Sequence, residues 1–241
     1  MQQAHNTQHP PPIVYNNRMR RPIIAIDGPA ASGKSTVAKI VAERLGYTYI
    51  DTGAMYRAVA VKAMEAGIPL EEPDRIVELA NRLDIHFRQV DGEQRIFADG
   101  QDVTEAIRTP EAARLSSPVS AIPGVRHRLV ELQRRMGEKG GVVMEGRDIG
   151  TCVFPDAEVK VFLTASQEER VRRRCRDLAA AGLPADPETV ARDLRERDER
   201  DSNRGMAPLR QAEDAVLIDT DNLGIEEVVQ AIIALHDRRT G

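Results

Sequence analysis

The sequence contains no tryptophan, and aromatic residues make up only 3% of its 241 residues. The core must therefore be built from aliphatic side chains, which are plentiful because 41% of the residues are hydrophobic. The two cysteines, Cys152 and Cys175, are too few for a disulfide scaffold and form no CxxC motif. The five histidines show no metal-ligand spacing. These absences argue against a disulfide-stabilised secreted module and against a zinc domain.

Long apolar runs are also lacking. No segment approaches the ~18 continuous apolar residues of a membrane span, and the N-terminal residues contain no apolar run that could act as a signal peptide. Although 30% of the residues are charged, the net charge is only −4, so the chain has no global bias toward nucleic acids or anionic membranes. We therefore expect a cytoplasmic protein with no nucleic-acid or membrane partner, acting as a monomer.

The first 21 residues differ from the rest. They are polar, interrupted by prolines and without periodicity, which predicts a disordered leader over residues 1–21. Residues 22–241 are expected to form one catalytic or binding domain.

Short apolar runs alternate with helical periodicity along this domain. The runs that predict buried strands are Ile23–Ile26, Tyr47–Ile50, Val142–Glu145, Val159–Leu163 and Ala215–Ile218. The segments that predict helices are Thr36–Leu45, Tyr56–Ala66, Val125–Met136, Gln167–Ala181 and Ile225–Asp237. This alternation predicts an α/β fold around a five-stranded parallel sheet.

One region breaks the alternation. Between Asp84 and Thr104, short alternating runs flank the Asp91–Gly92 and Asp99–Gly100 pairs, which are typical of tight hairpin turns. We expect a small antiparallel unit here, within an insertion over residues 67–124.

The sharpest motif lies directly after the first predicted strand. The eight residues Gly28, Pro29, Ala30, Ala31, Ser32, Gly33, Lys34 and Ser35, followed by Thr36, match G-x-x-x-x-G-K-[ST] between a strand and a helix. Its glycines allow backbone N–H groups to converge on phosphate oxygens, and the helix N-terminus adds its dipole. Lys34 can neutralise the β- and γ-phosphates, and Ser35 can ligate Mg²⁺. The motif predicts binding of a nucleoside triphosphate.

Two classes of P-loop protein can be argued against because the sequence lacks the features that they need. No Asn–Lys pair exists for a guanine-reading motif, which argues against a GTPase. The most arginine-dense region, 168–204, holds ten Arg against ten acidic residues and no aromatic, unlike a strand-binding groove. The remaining class of P-loop protein is the small-molecule phosphotransferases.

Two groups of polar residues follow predicted strands. Thr52, Tyr56 and Arg57 come after the second strand, and Arg147 and Asp148 come after the third. Because ligands of open α/β sheets bind at the carboxyl edge, these side chains are candidates for an acceptor site. The alternatives are a solvated helix arginine at position 57 and a purely structural Arg147–Asp148 ion pair.

A third group lies in the arginine-dense region. Arg197, Asp201 and Arg204 have i, i+4 and i+7 spacing, which places them on one face of a helix. The alternative is an exposed helix laced with salt bridges.

Several motifs together resemble one family, the bacterial cytidylate kinases, which are nucleoside-monophosphate kinases. The motifs are IDGPAASGKST (26–36), DTGAMYR (51–57), EGRDIGT (145–151), FPDAEVKVFLTAS (154–166), RERDERDSNR (195–204) and VLIDT (216–220). The resemblance extends from about Pro22 to the C-terminus. It implies a five-stranded P-loop kinase core with a monophosphate-binding insertion (about 67–124) and an arginine-rich lid (about 172–204). The implied reaction is phosphoryl transfer from ATP, with Mg²⁺, to CMP or dCMP.

The resemblance also implies roles for single residues. Tyr56 and Arg57 would border the acceptor, Arg147, Arg197 and Arg204 would surround its phosphate, and Asp201 would contact the ribose. The implied readers of cytosine are Ser117, Arg126 and Asp148. Glu145 stands where some family members carry Asp, which leaves open whether it helps to hold Mg²⁺.

Two other functions remain open from the residues alone. One is a P-loop scaffold or regulator that binds nucleotide without turnover. The other is a small-molecule kinase for a different acceptor, such as UMP or shikimate.

Overall fold

The computed structural model describes residues 21–240. The predicted leader over residues 1–21 lies outside the described residues, apart from Arg21, which begins the first strand. Within the described range, none of the helices combines the length and apolar character that crossing a bilayer requires.

The chain alternates strands and helices, with two short helical turns between them. In order, the elements are β1 (Arg21–Asp27), α1 (Lys34–Leu45), β2 (Thr48–Asp51), α2 (Thr52–Glu65), α3 (Pro73–Arg82), β3 (Ile85–Val90), β4 (Glu93–Ala98), β5 (Gln101–Asp102), a 3₁₀ turn (Ala106–Arg108), α4 (Pro110–Ala121), α5 (Pro123–Gly137), β6 (Gly140–Gly146), a π-helical turn (Ile149–Val153), β7 (Val159–Thr164), α6 (Gln167–Ala180), α7 (Pro187–Asn203), β8 (Val216–Asp219) and α8 (Ile225–Thr240).

The central sheet has five strands in the order β2-β6-β1-β7-β8, and each neighbouring pair is parallel. This confirms the predicted α/β fold with a five-stranded parallel sheet. Strand β1 lies in the middle and is covered on both faces, because successive side chains of a strand point to opposite sides. Ile24 and Ile26 pack into a cluster with residues of α1 and α8, whereas Ile23 and Ala25 pack with residues of α5 and β6.

The region with hairpin turns forms a second, antiparallel sheet in the order β3-β4-β5. The Asp91–Gly92 and Asp99–Gly100 turns both have positive φ at their two residues, as two-residue hairpins of type I′ require. Its apolar face shares one core cluster with α2 and α5, so this sheet is not packed separately. The flanking helices α3 and α4 were not predicted.

Two arginine-rich helices, α6 and α7, follow β7. They contact each other, and α7 also contacts α4. Helix α7 ends at Asn203, so the prediction that Arg204 lies within the same helix as Arg197 and Asp201 is wrong. The backbone of Arg204 is extended, with φ −62° and ψ 138°, but its N–H still bonds to the carbonyl of Arg200. Its side chain therefore stays near those of the helix.

Candidate active site

The phosphate-binding loop connects β1 to α1, as predicted. Gly28 has φ +148°, and a Cβ there would lie 2.0 Å from the carbonyl oxygen of Leu163, so only glycine fits. Gly33, with φ +90°, immediately precedes the first helical residue, Lys34. The helix N-terminus thus points at the loop, which is the arrangement that binds anions.

Lys34 begins α1, and its buried side chain turns back to the loop. Its ammonium donates to the carbonyl oxygen of Pro29 at 2.6 Å and to Oγ of Ser32 at 3.3 Å. Burial, followed by the positive charge of Arg147, lowers the pKa of Lys34 to about 7. An anionic ligand would relieve both effects, so the site is electrostatically prepared for phosphate.

Ser35 belongs to a small oxygen-rich cluster at the ends of β2 and β6. Its hydroxyl donates to one carboxylate oxygen of Glu145 at 2.9 Å, and the hydroxyl of Tyr49 donates to the other. The hydroxyl of Thr52 donates to the backbone carbonyl of Glu145 at 2.7 Å. Burial, and then the charge of Asp51, raises the pKa of Glu145. Tyr49 was missed from the sequence, because it reads there as an ordinary strand residue.

A cavity of about 420 Å³ opens beside this cluster at the carboxyl edge of the sheet. Seven arginines and Lys34 line it, against five carboxylates, so its walls carry an excess of positive charge. Its charged lining residues are Lys34, Arg57, Arg108, Arg126, Arg147, Arg174, Arg197, Arg204, Asp51, Glu145, Asp148, Asp177 and Asp201.

Three of the predicted arginines converge on one buried carboxylate. Asp201 accepts from Nε of Arg147 at 2.9 Å, and Arg197 and Arg204 each lie 4.0 Å from it. Burial, followed by the charge of Arg147, lowers the pKa of Arg197 to about 10. Arg204 also contacts Asp148, but these two carboxylates cannot neutralise the three guanidinium groups together with that of Arg126, so this part of the cavity favours an anion.

Asp148 also lines the cavity and joins two arginines. One of its carboxylate oxygens pairs with Arg126, and the other lies 3.3 Å from Arg204. The guanidinium of Arg126 is only 1% exposed and lies over the ring of Tyr56, 5.5 Å from its centroid. The alternative of an Arg147–Asp148 pair is therefore wrong, because Arg147 pairs with Asp201 instead.

Arg57 and Ser117 differ in their placement. Arg57 pairs with Asp51 at 2.8 Å and lines the cavity, so it is not a solvated surface arginine. Ser117 lies on α4, but the residues of α4 that line the cavity include Ser116 and Ser120 rather than Ser117. The hydroxyl of Ser117 is buried and finds no hydrogen-bond partner within the described part of the chain.

A second cavity, of about 540 Å³, lies along the P-loop and α1. Arg173 of α6 closes one side and donates to the hydroxyl of Thr220 at 2.9 Å. Leu223 and Ile225 line another side and are 39% and 55% exposed. None of these four residues was predicted from the sequence, because Leu223 and Ile225 are isolated apolar residues in a polar segment and Arg173 is one of many arginines in its helix.

The two cavities meet at the P-loop, since Ala31, Lys34 and Ser35 line both. Two ligands could therefore present their phosphates to one lysine from different sides. The helices α6 and α7 are tied to this point by Arg170, which donates to the carbonyl of Ala30 at 3.3 Å and to Asp198 at 2.6 Å.

A parallel sheet with a P-loop, and two cavities that share the loop's lysine, define a P-loop kinase. The family model for cytidylate kinase matches residues 24–238. This chain belongs to the cytidylate kinase family, as its motifs indicated.

Curated relatives support this assignment, and a solved structure shares the fold. A cytidylate kinase of Carboxydothermus hydrogenoformans is 53% identical over 90% of this chain and 97% of its own length. A bifunctional pantoate ligase/cytidylate kinase of a Synechococcus species is 51% identical over 91% of this chain, but only 41% of that protein is covered. An uncharacterized protein of Eubacterium ventriosum has a crystal structure that matches with a TM-score of 0.52 and 15% identity, covering 90% of this chain and 99% of that one. At this identity the structural match supports the fold alone.

Proposed function

We propose that the protein transfers the γ-phosphoryl group of ATP to CMP or dCMP, giving ADP and CDP or dCDP. The observation that carries this proposal is the pair of cavities that meet at Lys34. A phosphotransferase needs its donor and acceptor phosphates side by side in one positively charged site.

ATP is assigned to the second cavity. Its triphosphate would follow the P-loop, and its base would lie against the apolar side chains of Leu223 and Ile225. Lys34 would then face the transferring phosphoryl group.

The acceptor nucleotide is assigned to the arginine-lined cavity. Arg57, Arg147, Arg197 and Arg204 would hold its phosphate, and Asp201 its ribose. No general base is required, since the phosphate of CMP is already an anion at neutral pH. Alignment of the two phosphates and stabilisation of the developing charge account for the catalysis.

The cytosine ring is assigned to the part of the cavity lined by Asp148 and Arg126. Cytosine offers an amino donor at C4 and an acceptor at N3, which match a carboxylate and a guanidinium. Tyr56 would border the ring, since it lies beneath Arg126. Ser117 is also proposed as a reader because its hydroxyl, on the nearby helix α4, has no hydrogen-bond partner among the described residues.

The residues at Ser35 fit a magnesium ion. A hydroxyl and a buried carboxylate, Glu145, lie 2.9 Å apart beside the phosphate loop, and Mg²⁺ prefers oxygen ligands with phosphates and water completing its shell. We assign Ser35 as its ligand and Glu145 to the surrounding water shell. Bound there, the ion would neutralise charge on the phosphates of ATP.

The two accessory regions are assigned from their contacts. Residues 67–124 supply α4 and the 3₁₀ turn, which line the acceptor cavity, so we propose them as the monophosphate-binding insertion. Residues 172–204 are proposed as the lid that closes over both nucleotides, because they line both cavities. We also propose that the protein acts as a monomer and that it is located in the cytoplasm, where its nucleotide substrates are found.

A panel of acceptors tests the proposed function. With ATP and Mg²⁺, ADP production should be fastest with CMP or dCMP and much slower with UMP, AMP, GMP or shikimate. A coupled assay of ADP release measures this. Faster turnover of UMP or shikimate would favour the alternative acceptor, and no turnover with any of them would favour a nucleotide-binding scaffold.

Binding of nucleotide should also take up a proton at pH 8. The ligand-free protein has Lys34 largely neutral at that pH, since its pKa is about 7. The triphosphate raises this pKa again, so about one proton should enter per molecule bound. Calorimetric titration with a non-hydrolysable ATP analogue, in two buffers of different ionisation enthalpy, measures the uptake.

The matched control for that titration is Lys34→Arg, because arginine stays charged in both states. Its binding enthalpy should not depend on the buffer. A wild-type binding enthalpy that is equally independent of the buffer would show that Lys34 is already charged before nucleotide binds.

A further inference from the structure

Asp27 is a buried carboxylate to which the proposed reaction gives no role. It is the last residue of β1, directly before Gly28 of the P-loop, and is 5% exposed. Its two oxygens accept the backbone N–H groups of Ile149 at 2.8 Å and of Gly150 at 2.7 Å. Both bonds are buried and charge-assisted, which makes them strong for hydrogen bonds in proteins.

The two N–H groups begin the π-helical turn that follows Arg147 and Asp148. These two side chains lie on a short connection between the end of β6 and that turn. At its first end, the connection is fixed by the pairing of Gly146 with Asp27 across neighbouring strands. At its second end, it is fixed by the carboxylate of the same Asp27.

Close packing supports this arrangement. A Cβ at Gly150 would lie 3.4 Å from a carboxylate oxygen of Asp27 and 3.3 Å from Cδ of Lys160. A Cβ at Gly146 would lie 2.7 Å from both the hydroxyl of Thr52 and Cδ1 of Ile149. At Gly146 the connection therefore approaches its surroundings more closely than a side chain would allow, and at Gly150 the packing against Asp27 and Lys160 is tight.

We propose that Asp27 is a positioning residue that sets the orientation of Arg147 and Asp148 relative to the P-loop. It touches neither nucleotide in this proposal. It fixes the acceptor-binding connection to the strand that carries the donor-binding loop, so that the two phosphates meet in line. The inference rests on the proposed function, because Arg147 and Asp148 are assigned to CMP there.

Two charges influence the pKa of Asp27, and a third charged group packs close by. The charge of Asp148 raises its pKa and that of Lys34 lowers it, while Lys160 of β7, packed nearby, pairs with Asp214 at 2.7 Å. Burial is the largest influence and raises the pKa of Asp27 to about 6. Below that pH the carboxyl gains a proton. One of its two oxygens then carries a hydrogen and accepts poorly from the backbone N–H that it faces, which weakens the contact with the turn.

The main test is Asp27→Asn, which keeps the shape but replaces one acceptor oxygen with a donor. In D27N, KM for CMP should rise and kcat should fall, each by about tenfold. The Kd of a non-hydrolysable ATP analogue should change by less than about twofold, since the P-loop backbone is retained. Glu158→Gln is the matched control, because Glu158 accepts a backbone N–H, that of Ile23 at 2.8 Å, near the opposite end of the same strand.

A second variant keeps the test decisive if D27N does not fold. Asp27→Glu retains both acceptor oxygens but moves them by one methylene, so its KM for CMP should lie between those of wild type and D27N. Unchanged kcat and KM for CMP in either folded variant would overturn the proposal. An equal loss of affinity for CMP and for the ATP analogue would also overturn it, since that would indicate a general effect on the fold.

An independent readout needs no activity. In ligand-free wild type, the amide resonances of Ile149 and Gly150 should shift together between pH 5 and pH 7 with a midpoint near 6. E158Q should retain this titration and D27N should lose it. Amides that do not titrate would overturn the contact itself, whereas a wild type that titrates but does not phosphorylate CMP would contradict only the proposed function.

Discussion

Lys34→Ala should lower kcat by about a thousandfold or more, with far less effect on the fold. The variant removes the positive charge that both cavities share, at the position where the transferring phosphoryl group would lie. Loss of one preorganised group that stabilises the transition state typically has an effect of this size. Steady-state kinetics with CMP and ATP, together with thermal unfolding, measure the two quantities.

The pH dependence of the free energy of unfolding should differ between this variant and the wild type. In the folded protein the pKa of Lys34 is about 7, below its ordinary value of 10.5, so the unfolded chain binds more protons between these values. Lys34 therefore makes the free energy of unfolding increase as pH rises from 7 to 10.5, and Lys34→Ala should lack that contribution. At pH 7 the variant should accordingly be no less stable than wild type.

Lys139→Ala is the matched control for the kinetics. Lys139 is an exposed lysine between α5 and β6 and lines neither cavity. Its removal should leave kcat unchanged. Wild-type kcat in Lys34→Ala would contradict the assignment of the P-loop as the catalytic phosphate site.

Asp148→Asn should lower kcat/KM for CMP by about a hundredfold while leaving that for UMP nearly unchanged. The amide presents a donor where the carboxylate accepted the amino group of cytosine, and uracil has a carbonyl at that position. The preference for CMP over UMP should therefore collapse. Measuring both substrates on the same variant makes UMP the internal control.

The structure favours Asn over Ala for this experiment. Arg126 is 1% exposed and pairs with Asp148, so Asp148→Ala would leave a buried guanidinium without that partner. Breaking such a pair typically costs about 3–5 kcal/mol of stability, which would obscure the effect on specificity. Equal losses for CMP and UMP in Asp148→Asn, with an unchanged Tm, would remove Asp148 from the role of base reader.

The central sheet and the P-loop could be predicted because their signals are local. Ile23–Ile26 form one apolar run, and the motif that follows requires a strand before it and a helix after it. The helix α3 was missed although its two buried residues, Ile76 and Ala80, have the i, i+4 spacing of a helix face. The helix α4 was missed because it is rich in serine and contains Pro118, both of which usually indicate a break.

The pairing of charged groups in the site could not be predicted, because it depends on contacts between distant parts of the chain. The sequence suggests an ion pair between Arg147 and Asp148. In the structure, Arg147 pairs with Asp201 and Asp148 pairs with Arg126. Asp27 meets Ile149, 122 residues further along, only because β6 is placed next to β1. That strand order is a property of the whole fold.

Arg170 connects the P-loop to helix α7, and so connects the two binding sites. One guanidinium nitrogen, NH1, bonds both to the carbonyl of Ala30 in the P-loop and to Asp198 on α7, the helix that also carries Arg197 and Asp201. We therefore expect a shift of the loop, when one nucleotide binds, to affect the helix that lines the other site. Linkage then requires symmetry: the factor by which ATP changes the affinity for CMP equals the factor by which CMP changes the affinity for ATP.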